Sequence, residues 1–80
     1  MPEVASRVHD VVAAEFGFDR SALRFTDDLS ADHGFDDLDL MRIAMRLEEE
    51  FGVQVSDDSL QRDRTIAKCV QLVRQGLILP

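Results

Sequence analysis

The stretch that decides the fold is Gly34-Phe35-Asp36-Asp37-Leu38-Asp39-Leu40, which leads without a break into a helical pattern ending at Arg46-Leu47-Glu48-Glu49-Glu50-Phe51. Acidic residues at the start of this pattern favour a helix N-terminus, because carboxylates interact well with free backbone N–H groups and with the positive end of the helix dipole. Gly52 favours an end to the helix. We therefore predict a long helix from Asp37 to Phe51.

The apolar residues of this helix fall on two separate faces, since an α-helix turns by about 100° per residue. An ordinary core face holds Leu40, Ile43, Ala44, Leu47 and Phe51. A second face holds Leu38, Met41 and Met45, bordered by Arg42 and Glu49 on one side and by Glu48 on the other. A small chain rarely buries two such faces, so we predict that the second face is an exposed docking site for other proteins. The alternative is that Met41 or Met45 packs against the preceding loop.

The residues before this helix predict one helix and a long connection. Apolar residues at steps of three and four predict a first helix over residues 3–16 (Val4, Val8, Val11, Val12 and Phe16). Residues 17–35 are interrupted by Asp, Ser, Thr and Gly and are interpreted as a loop. Leu23, Phe25 and Leu29 are expected to hold this loop on the core.

The residues after the long helix predict two further helices. Val53 and Val55 resemble a short strand, and a brief helical turn is expected at Asp57–Arg62. Thr65 can cap a last helix from Ile66 to Gln75, which Gly76 is expected to end. Residues 77–80 are apolar and are expected to fold back on the helices; self-association is the alternative. The sequence thus predicts a single all-α domain over residues 1–80, with three main helices and one short helix.

Composition excludes several classes of function. The chain has 80 residues, 16 acidic against 9 basic, and a net charge of −7. This balance argues against binding of nucleic acid and favours a basic protein partner, although it also serves solubility alone. The sequence has one cysteine and no apolar stretch long enough for a membrane helix. We therefore expect a cytoplasmic monomer that does not enter membranes.

The run Gly34–Leu38, together with Leu47–Gly52, resembles the acyl carrier protein family, and the likeness extends over nearly the whole chain. The resemblance implies a small four-helix bundle with a long loop between its first two main helices. It also implies a role in fatty acid, polyketide or other lipid biosynthesis. In that family the motif Gly-x-Asp-Ser-Leu carries a serine whose hydroxyl receives 4'-phosphopantetheine. Asp37 stands at the serine position, so we expect no phosphopantetheine there.

The resemblance also implies which residues meet partner enzymes: Leu38, Met41 and Met45, with acidic neighbours such as Glu48 and Glu49. Three departures from the family pattern stand out, namely Asp37, the pair Arg42 and Arg46, and His33 in place of the usual leucine. The two arginines indicate either a changed partner or helical ion pairs of the type Asp39–Arg42 and Arg46–Glu50. Natural divergence is the favoured origin of Asp37; an ordinary carrier protein with its serine engineered to Asp is the alternative.

Two hypotheses for Asp37 remain open at this point. Its carboxylate can imitate the charge of a phosphodiester without the arm, or it can serve only as a helix cap. Asp58-Ser59-Leu60 repeats the family tripeptide, but it lacks the preceding Gly-x and the long helix that follows. We therefore expect Ser59 to begin or line a short helix.

Other classes of site have weak support. Asp28, Ser30, Asp32 and Asp39 approach the spacing of a calcium-binding loop, but His33 occupies the position that requires glycine, so no metal site is expected. No catalytic residue is expected either. His9 is expected to lie exposed on the first helix and His33 in the loop, and neither has a second ligand at metal-binding spacing. Cys69 shares the apolar face of the last helix and is expected to be an inert buried thiol. We predict a protein that is not an enzyme.

Overall fold

The protein is all-helical, as the sequence predicts. The computed structural model describes residues 2–78, and within them lie α1 (Pro2–Phe16), a 3₁₀ turn (Arg20–Ala22), α2 (Leu29–His33), α3 (Asp37–Phe51), α4 (Asp57–Arg62) and α5 (Ile66–Ile78). Over this range the only strand-like pairing is an isolated bridge between Asp28 and Thr65, and Val53 and Val55 form no strand. None of these helices combines the length and the apolar character that crossing a membrane requires.

The core lies between α1, α3 and α5. Each of these helices turns one apolar face inward. The buried apolar residues on these faces are Val4, Val8, Val12 and Ala13 of α1, Leu40, Ile43, Ala44 and Leu47 of α3, and Ile66, Cys69, Val70, Leu72 and Val73 of α5. Phe16 and Phe51 are partly buried at the edge of this cluster. The periodic apolar patterns therefore identified the core faces correctly.

The connection between α1 and α3 is more ordered than its sequence indicates. Residues 17–35 form the predicted long connection between α1 and α3, and they are partly ordered, because they contain the 3₁₀ turn and α2. Asp28 caps α2: its Oδ1 accepts hydrogen bonds from the backbone of Ser30 at 2.9 Å and of Ala31 at 2.8 Å. Leu23 and Leu29 are buried as predicted, and Phe25 is half-buried. The polar residues that interrupted the apolar pattern here cap a helix.

Helix α5 is longer than predicted. It continues through Gly76, which was expected to end it, and reaches Ile78. Leu77 and Ile78 belong to the helix and are exposed, so the expectation that they fold back on the core is wrong. The same expectation for Leu79 and Pro80 lies outside the described residues. The glycine at position 76 allows close packing instead, because a residue with a Cβ atom there would collide with Val53.

His9 is buried, against the prediction that it is exposed. Its ring stacks edge-on against Phe25, with ring centroids 4.8 Å apart. Within residues 2–78, neither ring nitrogen has a hydrogen-bond partner. The helical pattern places His9 beside the core face of α1, and the following connection then covers it. The burial of His9 depends on how residues 17–35 fold back over α1, and the local sequence pattern does not show this.

Replacing His9 by leucine is expected to stabilise the protein. The two side chains have similar volume, and the change removes two buried nitrogen atoms that lack partners, so we expect the free energy of unfolding to rise by about 1 kcal/mol. Urea denaturation of His9→Leu and of the unsubstituted chain at neutral pH measures the difference. If His9→Leu is less stable than the unsubstituted chain, the result contradicts the interpretation that the buried His9 nitrogen atoms lack hydrogen-bond partners.

Cys69 is the buried, unreactive thiol that the sequence predicts. Its side chain lies fully inside the core face of α5. Burial disfavours the charged thiolate and raises the pKa of the Cys69 thiol to about 12. The thiol therefore stays protonated at neutral pH, which removes the form that acts as a nucleophile.

Candidate functional site

The N-terminus of α3 is closed by a reciprocal pair of side-chain caps. Asp36 Oδ1 accepts from the backbone N–H of Asp39 at 2.8 Å, and Asp39 Oδ2 accepts from the backbone N–H of Asp36 at 3.0 Å. These bonds satisfy backbone donors that the helix itself leaves free. The hypothesis that Asp37 caps the helix is therefore wrong, because Asp36 is the cap and Asp37 is the first helical residue.

Asp37 contacts an arginine that is distant in sequence. The Asp37 side chain is 73% exposed, and its Oδ1 accepts from Nη2 of Arg64 at 3.2 Å. Arg64 lies in the turn between α4 and α5. Sequence reasoning missed this residue, because a contact across 27 residues depends on how the helices assemble and leaves no local pattern.

Residue 37 does not fit an ester-linked phosphopantetheine. The arm of the resembled family is joined through a serine oxygen to phosphorus, which requires an alcohol. Asp37 offers only a carboxylate, and one of its oxygen atoms already accepts from Arg64. An acyl phosphate at this position hydrolyses readily. The chain's own residues thus disagree with the attachment chemistry that the surrounding motif implies.

The second apolar face of α3 is exposed, as predicted. Leu38 is 68% exposed, Met41 42% and Met45 60%, whereas Leu40 and Leu47 on the opposite face are fully buried. The alternative that Met41 or Met45 plugs against the preceding connection is wrong. We call Leu38, Met41 and Met45 the α3 patch. Its role in docking stays a prediction.

Arg42 and Arg46, at one edge of the α3 patch, are paired with helix α1. Nη2 of Arg42 donates to Oε2 of Glu15 at 2.8 Å, and the Arg42 guanidinium lies over the ring of Phe16 at 5.1 Å from its centroid. Arg46 lies 3.6 Å from Glu15 and 3.4 Å from Glu50. The Arg46–Glu50 pair is confirmed.

The predicted Asp39–Arg42 pair is wrong, because Asp39 serves the helix cap and Arg42 turns to Glu15. Sequence reasoning missed Glu15, which lies on α1 and compensates both arginines. The charge of this edge is thus largely balanced within the protein. These exposed pairs contribute little to stability, typically below about 1 kcal/mol each.

The two predicted acidic neighbours of the α3 patch differ in their surroundings. Oε2 of Glu48 accepts from the backbone N–H of Val55 at 2.9 Å, which fixes the segment after α3. Glu48 is accordingly half-buried, whereas Glu49 is exposed next to Met45 and Arg46. Glu49 is therefore the freer of the two carboxylates for a partner.

His33 has a polar partner within the connection that precedes α3. Its Nε2 lies 2.9 Å from Oδ2 of Asp27, and its ring meets Phe18 edge-on at 5.8 Å. The hydrogen bond from His33, together with one from the Arg24 backbone N–H, lowers the pKa of Asp27. The polar residue at the usual leucine position thus ties α2 to the preceding turn.

The residues considered for calcium have structural roles. Asp28 caps α2, and Asp32 Oδ2 accepts from the Asp28 backbone N–H at 2.9 Å. In the part of the chain that the structure describes, no three His, Cys, Asp or Glu side chains are grouped to hold a metal ion. Ser59 lines the short helix α4, as predicted, and its backbone N–H donates to Ser56 Oγ at 3.2 Å.

Comparison with known proteins finds similarity over most of the chain. Residues 6–73 match the family model described as the phosphopantetheine attachment site. The chain is also 31% identical over 77 residues to acyl carrier protein 2 of Pseudomonas aeruginosa, which covers 96% of this chain and 98% of that protein.

Proposed function

Because the chain belongs to the acyl carrier protein family, whose shared feature is the phosphopantetheine attachment site, we propose that it acts by binding protein partners and carries no arm at residue 37. Residues 1–80 act as one carrier-protein-like domain in this proposal. The protein is not an enzyme, since members of this family carry groups for other proteins. The observation that carries the proposal is a carboxylate at the attachment position beside an exposed apolar patch.

The α3 patch supplies the recognition surface. Three large apolar side chains exposed on one helix face, surrounded by charge, are typical of a site that binds another protein. Methionine suits such a surface because its flexible thioether adapts to different partner shapes. The proposed partners are enzymes of fatty acid, polyketide or other lipid biosynthesis, which act on carrier proteins through this face.

The charges around the α3 patch support partners with basic groups. Arg42 and Arg46 are compensated by Glu15 and Glu50, so they present little net positive charge to an approaching protein. Glu49 is exposed, and the whole chain has a net charge of −7. A basic patch is therefore attracted over long range and meets Glu49 at close range. The cytoplasmic location and the monomeric state stay predictions.

The contact between Asp37 and Arg64 favours natural divergence as the origin of Asp37. The arginine is placed so that it compensates the new carboxylate at 3.2 Å. A serine replaced in order to block modification needs no such partner. We therefore propose that the protein is a divergent member of the family.

A charge placed in the α3 patch is expected to weaken partner binding without unfolding the protein. The variant Met45→Glu puts a carboxylate into the patch at one of its most exposed residues, and we expect at least about tenfold weaker binding to a host enzyme that acts on carrier proteins, or about 1.4 kcal/mol. Calorimetric titration measures the affinity. Leu77→Glu is the matched control, since Leu77 is an exposed apolar residue at the end of α5. Equal affinities for both variants contradict recognition through the α3 patch.

A further inference from the structure

We propose that Asp37 has become part of a structural clamp in which Arg64 ties the N-terminus of α3 to α2 and α4. The clamp consists of Ser30, Asp37, Gln61 and Arg64, and we call it the Arg64 clamp. The position that carries the arm elsewhere in the family is here used to hold three helices together. The inference is independent of whether the α3 patch binds a partner.

Every nitrogen of the Arg64 guanidinium has a partner. Nε donates to the backbone oxygen of Gln61 at 2.9 Å, and Nη1 donates to Oγ of Ser30 at 3.0 Å. Nη2 is shared between Oδ1 of Asp37 at 3.2 Å and Oε1 of Gln61 at 3.1 Å. One side chain therefore bonds to residues of α2, α3 and α4.

Gln61 completes the clamp from the other side. Its Nε2 donates to the backbone oxygen of Asp37 at 3.3 Å, while its Oε1 accepts from Arg64. Asp37 is thus held by its carboxylate and by its main chain. Since Gln61 and Arg64 flank the end of α4, the clamp joins the end of one helix to the beginning of another.

The backbone of the same turn supports the clamp. The backbone oxygen of Arg64 accepts from the N–H of Leu29 at 2.7 Å, and the neighbouring residue Thr65 forms the isolated bridge with Asp28. Leu29 is fully buried and begins α2. Arg64 therefore contacts α2 through its main chain and through its side chain, so the two contacts reinforce each other.

The clamp needs an arginine. A planar guanidinium with five donors can bond to acceptors on three sides at fixed angles, whereas a lysine ammonium is a point charge on a flexible stem.

The clamp also bears on the hypothesis that Asp37 imitates a phosphodiester. Because Arg64 compensates the carboxylate, the local net charge is smaller than that of a free phosphodiester. The structural role is the one that these contacts support.

A double-mutant cycle tests the clamp. Asp37→Ala removes the carboxylate, and Arg64→Met removes the guanidinium but keeps the apolar stem. Urea denaturation gives the unfolding equilibrium constant of each single variant and of the double variant. We expect the two substitutions to be coupled: the unfolding equilibrium constant of the double variant should be about threefold smaller than the value that the two single variants predict together. This coupling is expected to be weaker at 1 M salt, which screens the ion pair. Additive effects overturn the proposal.

Two controls match the changes in charge. Asp58 is exposed in the first turn of α4, and Arg62 is exposed at the end of α4. The pair Asp58→Ala and Arg74→Met removes the same charges without touching the clamp, and its effects are expected to add, because Arg74 is exposed on α5 and no ion pair joins it to Asp58 in the described part of the chain. Arg62 lies four residues after Asp58 on the same helix and is used only as a single variant, since side chains at this spacing interact. A non-additive control as large as the clamp also overturns the proposal, because the coupling is then a general charge effect.

Amide hydrogen exchange supplies a local measurement. The Leu29 N–H bonds to the Arg64 backbone oxygen, which all the variants retain. If the clamp positions this turn, the Leu29 amide exchanges at least about threefold faster in Arg64→Met than in the unsubstituted chain. The exchange rate of a core amide, such as that of Leu47, serves as the reference within each variant. In Arg62→Met the Leu29 amide is expected to keep its rate. Arg64→Lys is expected to restore only part of the protection. Unchanged exchange in Arg64→Met overturns the proposal.

Discussion

The variant Asp37→Ser is expected to gain one 4'-phosphopantetheine arm, whereas the unsubstituted chain is expected to keep its mass. The change restores the hydroxyl that the attachment chemistry requires, within a sequence that otherwise keeps the family's Gly-x-Asp-x-Leu pattern at Gly34–Leu38. Asp36, the cap of α3, stays in place, so the new serine lies at the first turn of an intact helix. Incubation with a promiscuous phosphopantetheinyl transferase and coenzyme A, followed by intact-mass analysis, measures the gain.

Two controls assign the site of modification. Asp37→Ala removes the carboxylate without supplying a hydroxyl and is expected to gain nothing. The double variant Asp37→Ser with Ser59→Ala is expected to gain the arm as fully as the single variant, since Ser59 lies in a short helix without the preceding motif. A gain of mass in the unsubstituted chain contradicts the proposed function. A variant Asp37→Ser that stays unmodified shows that recognition by the transferase has been lost as well.

The parts of the fold that the sequence predicted are those set by local periodicity. Leu40 and Leu47 lie on the core face of α3, and Leu38 and Met45 lie on the exposed face, because their spacing fixes their directions once the helix forms. The helix itself was predictable from the acidic residues at its start and from Gly52 at its end. No knowledge of the neighbouring helices was needed for these features.

The parts that the sequence did not predict depend on which elements face each other. His9 is covered by Phe25, and Arg42 turns to Glu15, because residues 17–35 and α1 pack where no local pattern places them. Asp37 meets Arg64 for the same reason. The candidate site was therefore predictable as a helix face, while the charges and hydrogen bonds around it required the assembled helices.

Replacing Gly76 by alanine is the second change with a large expected effect on stability. The substitution is expected to destabilise the protein, whereas the same change inside a helix usually stabilises it. Glycine inside a helix is normally less favourable than alanine by about 1 kcal/mol. In α5, however, a Cβ atom added at Gly76 lies 2.6 Å from the Cβ of Val53 and 3.0 Å from its Cγ1. The Val53 Cβ is fixed to the backbone, so no side-chain rotation relieves this contact. The end of α5 or the segment after α3 must move instead.

Gly76→Ala is therefore expected to destabilise the protein by about 2 kcal/mol, since the overlap outweighs the gain in helix propensity. Urea denaturation measures the change, and variants at Val53 test its cause. Val53→Ala keeps the Cβ and is expected to leave most of the penalty, whereas Val53→Gly removes the Cβ and is expected to abolish it. A Gly76→Ala variant that is more stable than the unsubstituted chain contradicts the close approach of α5 to Val53.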